Sequence, residues 1–473
     1  MSLTHSLKWS FLAELVSKAI TPAVFIVLAG FLTPEDFGVM TAALMVIAFS
    51  QIFWEAGMGK ALIQRQTEVE VAANVAFWIN IGLGVVIGAV LFVAAQPISS
   101  IFFHDERVAV VIQVMTLQVF LGAVSSVHIA LLQKDMSFKK LFWVRFSTVG
   151  LPGLASIPLA LNGMGYWALV AGVLLGQVVQ VCMLWRISHW RPKWSFHVPI
   201  AKEMSRFGAW VGTSGLLVWF YLWADSLIVG MYLGSHALGL YRFGNLLVTS
   251  VIGLVVSPVI PVAYSYFSKS QSDSKKLNEN IVRGEKTITM ALFVIAALMI
   301  ISSSLIESLF GGKWEGLSLV VSLVVIAQVM AYTVSLKQEA YRAIGRPDIE
   351  FKIMFISMLI RLPFYFVFIK YGLDAFMMGR IMSVVLGIIN HLLFAKVILH
   401  LMFLDYIKTV SVSTLSAISS GLVGMYVIQL TSEYGLLSST LLAVMACGLL
   451  YLILIVVFER EFLKRIYFDF KRK

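Results

Sequence analysis

Charge is scarce in this sequence. Only 13% of its 473 residues are Asp, Glu, Lys or Arg, about half the roughly 25% of an average soluble chain. With 59% of the residues hydrophobic, that composition excludes both an ordinary soluble protein and a disordered one. Cysteine is scarcer still. Cys182 and Cys447 each fall inside an apolar run, with neither metal-ligand spacing nor a disulfide framework. Acidic residues fall short of basic ones, 25 against 36, for a net charge of +11. In a soluble chain that excess would point to nucleic acid. In a membrane chain the placement of the charges matters more than their sum, and no nucleic-acid partner is expected. The motifs of soluble enzymes are missing too. There is no Walker-type phosphate loop, no HExxH pair and no nucleophile-elbow serine, and the eight histidines show no ligand spacing. The sequence therefore implies no catalytic residue, no metal site and no cofactor, so the chain reads as a non-enzyme. Its start does not read as a cleavable signal, because the first apolar stretch carries Glu14 and Lys18 and lacks a small-residue cleavage pattern.

What the sequence has in abundance is long apolar runs. Fourteen are legible, roughly at 9–31, 37–57, 74–95, 108–133, 141–161, 165–187, 207–233, 238–267, 286–309, 316–339, 349–370, 373–396, 407–429 and 435–458. Barrel strands would be about ten residues long and would alternate apolar with polar. These runs are about twice that length and apolar on all faces, the signature of membrane helices. The expected fold is therefore an all-α integral membrane protein with about fourteen transmembrane helices.

The loops orient it. Alternate loops and the ends of the chain hold 29 Lys and Arg, from Lys8 and Lys60 to the tail Arg460–Lys473. The intervening loops hold only Arg107, Lys313 and Lys370, with seven acids: Glu35, Asp36, Asp105, Glu106, Glu315, Asp374 and Glu433. The positive-inside rule then puts both termini in the cytoplasm. The outside loops are too short for an extracytoplasmic catalytic domain.

An internal repeat organises the spans. Leu32-Thr-Pro-Glu-Asp-Phe-Gly38-Val-Met40 is echoed 201 residues later by Leu233-Gly-Ser-His-Ala-Leu-Gly239-Leu-Tyr241. Gly165-Tyr-Trp-Ala168-Leu-Val-Ala-Gly172 finds a second echo in Gly372-Leu-Asp-Ala375-Phe-Met-Met-Gly379. An even number of spans per repeat keeps both copies in one orientation, which gives a parallel pseudo-repeat about an axis along the membrane normal. The expected organisation is an N-terminal six-helix bundle at 1–190, a cytoplasmic linker at 191–206 and a C-terminal six-helix bundle at 207–400. Two extra helices follow at 401–458, then a basic cytoplasmic tail at 459–473.

Charges inside the spans are the candidate functional residues, because a central Lys, Arg or Asp costs about 2.5–3.5 kcal/mol on insertion scales. Lys18, Arg242, Arg361 and Arg380 are embedded bases, drawn from both repeats. One reading is a cationic lining for an anionic substrate, with arginine suited to bidentate phosphate recognition. The other is structural pairing, Glu14 with Lys18 and Asp225 with Arg242, and snorkelling of the outer arginines. Glu14 and Asp225 are also candidates for proton or sodium coupling, since a desolvated carboxyl binds a proton more readily. Pro22, Pro152, Pro158, Pro258, Pro261 and Pro363 interrupt spans and kink them.

Several stretches resemble bacterial polysaccharide flippases. Phe31-Leu-Thr-Pro-Glu-Asp-Phe-Gly38 and Trp54-Glu55-Ala-Gly57-Met-Gly59-Lys-Ala-Leu-Ile63-Gln64-Arg65 are similar to the first helical hairpin of that family. Leu132-Gln133-Lys134-Asp-Met-Ser-Phe138-Lys139 resembles its loop between helices 4 and 5. Asp225-Ser-Leu-Ile-Val-Gly230 with Leu238-Gly239-Leu-Tyr241 resembles its helix 7–8 signature. The family comprises lipid-linked oligosaccharide exporters (O-antigen, capsule, exopolysaccharide) of the multidrug/oligosaccharidyl-lipid/polysaccharide superfamily. The resemblance implies two six-helix bundles around a cavity that opens alternately to either side. The implied substrate is an undecaprenyl-pyrophosphate-linked oligosaccharide, with membrane lipids and polysaccharide polymerase machinery as further partners. It carries no substrate role onto Arg242. The rival readings are a peptidoglycan-precursor flippase, a multidrug antiporter, a membrane-embedded polysaccharide enzyme and a structural membrane protein. A cation exporter should line its cavity with carboxylates, which four embedded bases argue against.

The charge asymmetry predicts a topology that cysteine labelling of intact cells can check. Positions near Thr33, Ser235 and Gly435 should label from outside, and positions near Ser137, Ser195 and Ser272 only after permeabilisation. Labelling of any of the last three in sealed cells would break the segmentation.

Overall fold

The computed structural model describes residues 9, 18, 20–55 and 57–471, with side chains as far as 465. The architecture is all helical, with no strand among the described residues. In lipid every backbone N–H and C=O must find its partner inside the chain, and helices do this segment by segment. Twelve of the helices are long and apolar enough to cross a membrane. The longest, Val198–Ser270, holds two passes, because Gly234 breaks it with φ 77° and ψ −174°. Together with the shorter apolar helix Ile20–Ala29, the membrane segments among the described residues number fourteen.

In chain order the helices are α1 (Ile20–Ala29), α2 (Pro34–Glu55), α3 (Met58–Gln64), α4 (Val69–Ile98), α5 (Glu106–Lys134), α6 (Phe138–Leu161), α7 (Tyr166–Ile187) and α8 (Val198–Ser270). They continue as α9 (Ser274–Phe310), α10 (Leu317–Tyr332), α11 (Ser335–Ala343), α12 (Pro347–Phe368), α13 (Leu373–Ile398), α14 (Phe403–Leu430), α15 (Leu436–Phe458) and α16 (Arg460–Lys471). The chain divides into two compact units, Met1–Phe243 and Gly244–Lys473.

Three elements differ from the hydropathy reading. α9 starts at Ser274, where Asp273 caps it by accepting from the Lys276 backbone N–H at 3.1 Å. The basic stretch 274–285 is therefore helix rather than loop, since hydropathy finds the membrane boundary and not the end of hydrogen bonding. For the same reason the second half of the 191–206 stretch is the start of α8. The first arm of α8, 198–233, measures about 54 Å at about 1.5 Å per residue, well beyond a hydrocarbon core of about 30 Å. The tenth apolar run breaks at Thr333 into α10 and α11, and the Thr333 hydroxyl bonds back to Met330 O at 2.6 Å.

In the first unit a core of Met58, Leu62, Phe77, Val127 and Met204 joins α3, α4, α5 and the start of α8. The segment after α7 is clipped to α4. Trp78 donates to Lys193 O at 2.9 Å, Lys193 N–H donates to Asn74 Oδ1 at 3.0 Å, and Trp194 stacks on Trp78 at 4.0 Å. In the second unit α14 and α15 pack on α9 through Ile301, Ala417, Ala443, Cys447 and Tyr451.

The repeated segments meet each other inside the first unit. A Cβ on Gly38 would lie 1.8 Å from Ser235 O, and a Cβ on Gly239 would lie 1.7 Å from Pro34 O. Residues 34 and 235, and residues 38 and 239, are the same positions of the repeat. The contact is therefore reciprocal, as a two-fold relation requires. On the same relation Glu35 faces His236, its own repeat equivalent, with Oε1 2.6 Å from Nδ1. Beside them Ser235 donates to Asp105 Oδ2 at 2.6 Å, and Arg107 donates to the same carboxylate at 2.9 and 2.8 Å. Burial works against ionising Asp105, yet the hydrogen bonds from Arg107 and Ser235 and the Arg107 charge outweigh it and hold the carboxyl below its ordinary value. Asp36 completes the end of the unit by accepting from Thr33 N–H at 2.9 Å and from Tyr166 N–H, across the unit, at 2.8 Å.

Backbone cannot yield to a Cβ as a flexible side chain can. Gly38→Ala and Gly239→Ala should each destabilise the protein by about 1–3 kcal/mol or more, the cost of overpacking a close contact. Gly253→Ala, where a Cβ would meet nothing within 4 Å, should be neutral or stabilising by about 0.5–1 kcal/mol. Melting temperatures in detergent measure the contrast, and equal effects at the three sites would refute the crossing.

Candidate functional site

Asp225 and Arg242 lie on the two arms of α8, either side of the Gly234 break. The Asp225 carboxylate accepts from Tyr241 Oη at 2.5 Å, from Ser226 N–H at 2.6 Å and from Ser226 Oγ at 3.1 Å. Arg242 stacks on the Trp223 ring at 4.4 Å and donates to Ser226 Oγ at 3.4 Å. No ion pair joins Asp225 to Arg242 among the described residues, so the structural pairing weighed from the sequence does not form. Neutral hydroxyls satisfy the acid and an aromatic face holds the base. The local signature is thereby explained: Asp225, Ser226 and Tyr241 tie the arms together, and Gly239 admits α2. Lys18 is half-buried on the first span. Glu14, its proposed neighbour, lies outside the described residues.

In the second unit Arg380 on α13 donates to Asn245 Oδ1 at 3.2 Å. Arg361 is half-buried on α12, and buried His391 of α13 lies within electrostatic reach of both Arg361 and Lys337. Lys337 counts among the loop bases in the hydropathy reading, but the structure places it on α11 with its side chain 2% exposed. Lys337 Nζ donates to both oxygens of Glu285 on α9, at 2.6 and 2.5 Å, and Glu285 is equally buried. The ammonium also faces the Tyr406 ring at 5.7 Å, and Tyr406 Oη meets Thr333 Oγ1 at 3.0 Å. Sequence reasoning missed this pair because Glu285 sits just past the edge of one apolar run and Lys337 in the last turn of another, where both count with the loop charges. The signal was available: on helices that continue beyond those edges, both charges fall on buried faces.

Two recesses accompany these charges. An apolar groove of about 470 Å³ in the second unit is lined by α9, α10 and α14, with Thr333 and Tyr406 among its lining residues. Its outer wall includes Ile418, Leu422 and Met425, all exposed. In the first unit a cleft of about 880 Å³ runs between the end of α3 and the start of α8, lined by Arg65, Lys202, Arg206 and Trp210 among others. A reading confined to charges inside spans also passes over carboxamides. Gln51, Gln118, Gln177 and Gln180 converge on one small pocket of the first unit.

Removing one partner of a buried ion pair strands the other, at a cost of about 3–5 kcal/mol. Lys337→Met should lower the melting temperature sharply, and Glu285→Met combined with it should recover most of the loss. If the double variant is no more stable than the single one, the pair does not hold α9 against α11.

Comparison with known proteins places this architecture. The chain is similar to the solved structure titled lipid II flippase MurJ, inward closed conformation, with a TM-score of 0.77 over 97% of this chain and 100% of that one at 16% identity. It is also similar to an inward-facing multidrug resistance MATE transporter of the MOP superfamily, with a TM-score of 0.64 over 81% and 94% of the two chains at 15% identity. At such identities the likeness establishes the fold. In sequence it is 25% identical over 315 residues to the succinoglycan biosynthesis transport protein ExoT of Rhizobium meliloti (strain 1021), covering 66% of this chain and 63% of that protein. The chain thus spans just under two thirds of that relative's length. It is 23% identical over 364 residues to the lipopolysaccharide biosynthesis protein WzxC of Escherichia coli (strain K12), covering 75% and 73%. A family model described as polysaccharide biosynthesis protein matches residues 27–319, more than half of the sequence, and the chain belongs to that family.

Proposed function

We propose that this protein is a flippase of the bacterial cytoplasmic membrane. It carries undecaprenyl-pyrophosphate-linked oligosaccharide units from the cytoplasmic to the outer leaflet by alternating access, for surface polysaccharide synthesis. The observation that carries the reading is three bases within membrane-crossing helices, Arg242, Arg361 and Arg380, with Lys18 just ahead of the short apolar helix Ile20–Ala29, in a chain of a polysaccharide biosynthesis family. A phosphate moving across lipid meets a large desolvation barrier, and fixed positive charge at that depth lowers it. The apolar groove of the second unit supports a lipid-borne cargo, because its exposed outer wall gives a prenyl chain an apolar surface to follow while the head group moves. The names of ExoT and WzxC support a polysaccharide cargo. A peptidoglycan-precursor flippase is the second reading, favoured by the likeness to MurJ.

Both termini are cytoplasmic on this reading, and a proton or sodium gradient drives the cycle. Asp225 is the described candidate for coupling, and its partners are neutral hydroxyls and an amide N–H. Glu14 is the second candidate.

Complementation of a strain lacking the gene tests the phosphate site. Arg361→Ala should abolish surface-polysaccharide export at normal protein level, and Arg361→Lys should rescue it partly, because lysine keeps the charge and loses the bidentate fork. Glu14→Gln/Lys18→Gln, which removes two charges together and leaves neither stranded, should also impair export. Full complementation by Arg361→Ala and by this double variant would remove both residues from the site. Accumulation of peptidoglycan precursors instead of polysaccharide precursors would select the second reading.

A further inference from the structure

The first unit holds a polar pocket among its membrane-crossing helices that the cationic residues do not account for. Its volume is about 260 Å³, and α2, α5 and α7 line it with Gln51, Trp54, Glu55, Gln118, Gln177 and Gln180. Helical spacing produces the convergence. Gln51 and Glu55 are four residues apart on α2, Gln177 and Gln180 three apart on α7, and Gln118 lies one and two turns before Gly122 and Ser125 on α5.

Carboxamides inside a membrane usually serve as glue, bonding one helix to the next. These do not. Gln51 donates to Glu55 of its own helix at 3.0 Å. Among the described residues no hydrogen bond joins Gln118, Gln177 or Gln180 to another helix, and Gln118 Oε1 is buried without a partner. Trp54 is 6% exposed, and its Nε1 is also buried, with no partner among the described residues. The indole is held in place because α5 has a glycine against it: a Cβ on Gly122 would lie 2.7 Å from Trp54 Cη2. Unsatisfied polar atoms in an apolar environment are costly, and they persist where a ligand uses them.

The side chains define the ligand. A carboxamide both donates and accepts, as does each hydroxyl of a sugar, and a fixed aromatic ring gives the apolar face of a pyranose a wall. Among the described residues the only charged lining group is Glu55, which disfavours an acidic sugar and offers a phosphate nothing. The volume lies below the roughly 300–1,000 Å³ of pockets for drug-sized ligands, so it suits a single sugar ring rather than a whole repeat unit.

We propose that this pocket binds one uncharged sugar residue of the transported glycan, which makes it a specificity site separate from the cationic residues. The proposal rests on the flippase reading above. Its test uses the full-length protein in nanodiscs, with undecaprenyl pyrophosphate as bare lipid and carrying glucose, galactose, N-acetylglucosamine or glucuronate, and with the same sugars free. At least one neutral sugar should raise affinity for the lipid roughly tenfold over the bare lipid, the worth of one or two hydrogen bonds, and glucuronate should not. In Gln177→Met/Gln180→Met that ratio should fall towards one. Both affinities come from one preparation, so any unfolded fraction cancels. A ratio that survives the double variant, or a wild type that prefers none of the neutral sugars, overturns the pocket. A free sugar that binds as tightly as its lipid-linked form overturns the glycan assignment. A wild type that binds neither bare nor glycosylated lipid overturns the flippase reading itself.

Discussion

Lipid offers no hydrogen bonds, and this structure is organised around that constraint. The backbone meets it by folding as helix throughout. Each polar side chain within the spans then has to be explained by something the chain supplies. Asp225 is met by two hydroxyls and an amide N–H, Arg242 by an indole face and a hydroxyl, and Lys337 by the Glu285 carboxylate. Where the described residues supply nothing, as for Trp54 Nε1 and Gln118 Oε1, function is the natural place to look.

The helices were legible because the same constraint writes itself into composition. A run of about twenty apolar residues has few other uses, and the alternation of basic and acidic loops checks the count. The 201-residue echo was legible for a stronger reason: Gly38 and Gly239 are the positions where one repeat's backbone touches the other's, so neither accommodates a side chain. The family-like stretches were legible as signatures but not as chemistry. Thr33, Asp36, Asp225 and Tyr241 turn out to cap and tie helices, which is why they resemble a family without identifying a cargo.

The rest of the site was not legible for identifiable reasons. Glu285 stands just outside one apolar run and Lys337 at the end of another, where hydropathy assigns charges to solvent. The burial of Glu285 depends on α9 continuing beyond its apolar run, a property set by capping at Asp273 and not by hydrophobicity. The glutamines escape notice because a neutral amide barely changes a hydropathy average. Their convergence is three-dimensional: α2, α5 and α7 are separated by scores of residues in sequence, and only packing brings Gln51, Gln118 and Gln177 to one pocket.

The reciprocal crossing at Gly38 and Gly239 bears on how such a chain can arise. Every group it uses on one side, a glycine, a carbonyl oxygen and an exposed acid or imidazole, sits at the same position on the other. That is the geometry of a symmetric homodimer. A half-length ancestor carrying one such segment would already own the whole joint by pairing with a copy of itself, and gene fusion would preserve it without inventing a contact. Once fused, the copies are free to diverge where symmetry no longer binds them. Glu35 and His236 are such a divergence, a self-facing position turned into an acid and a base.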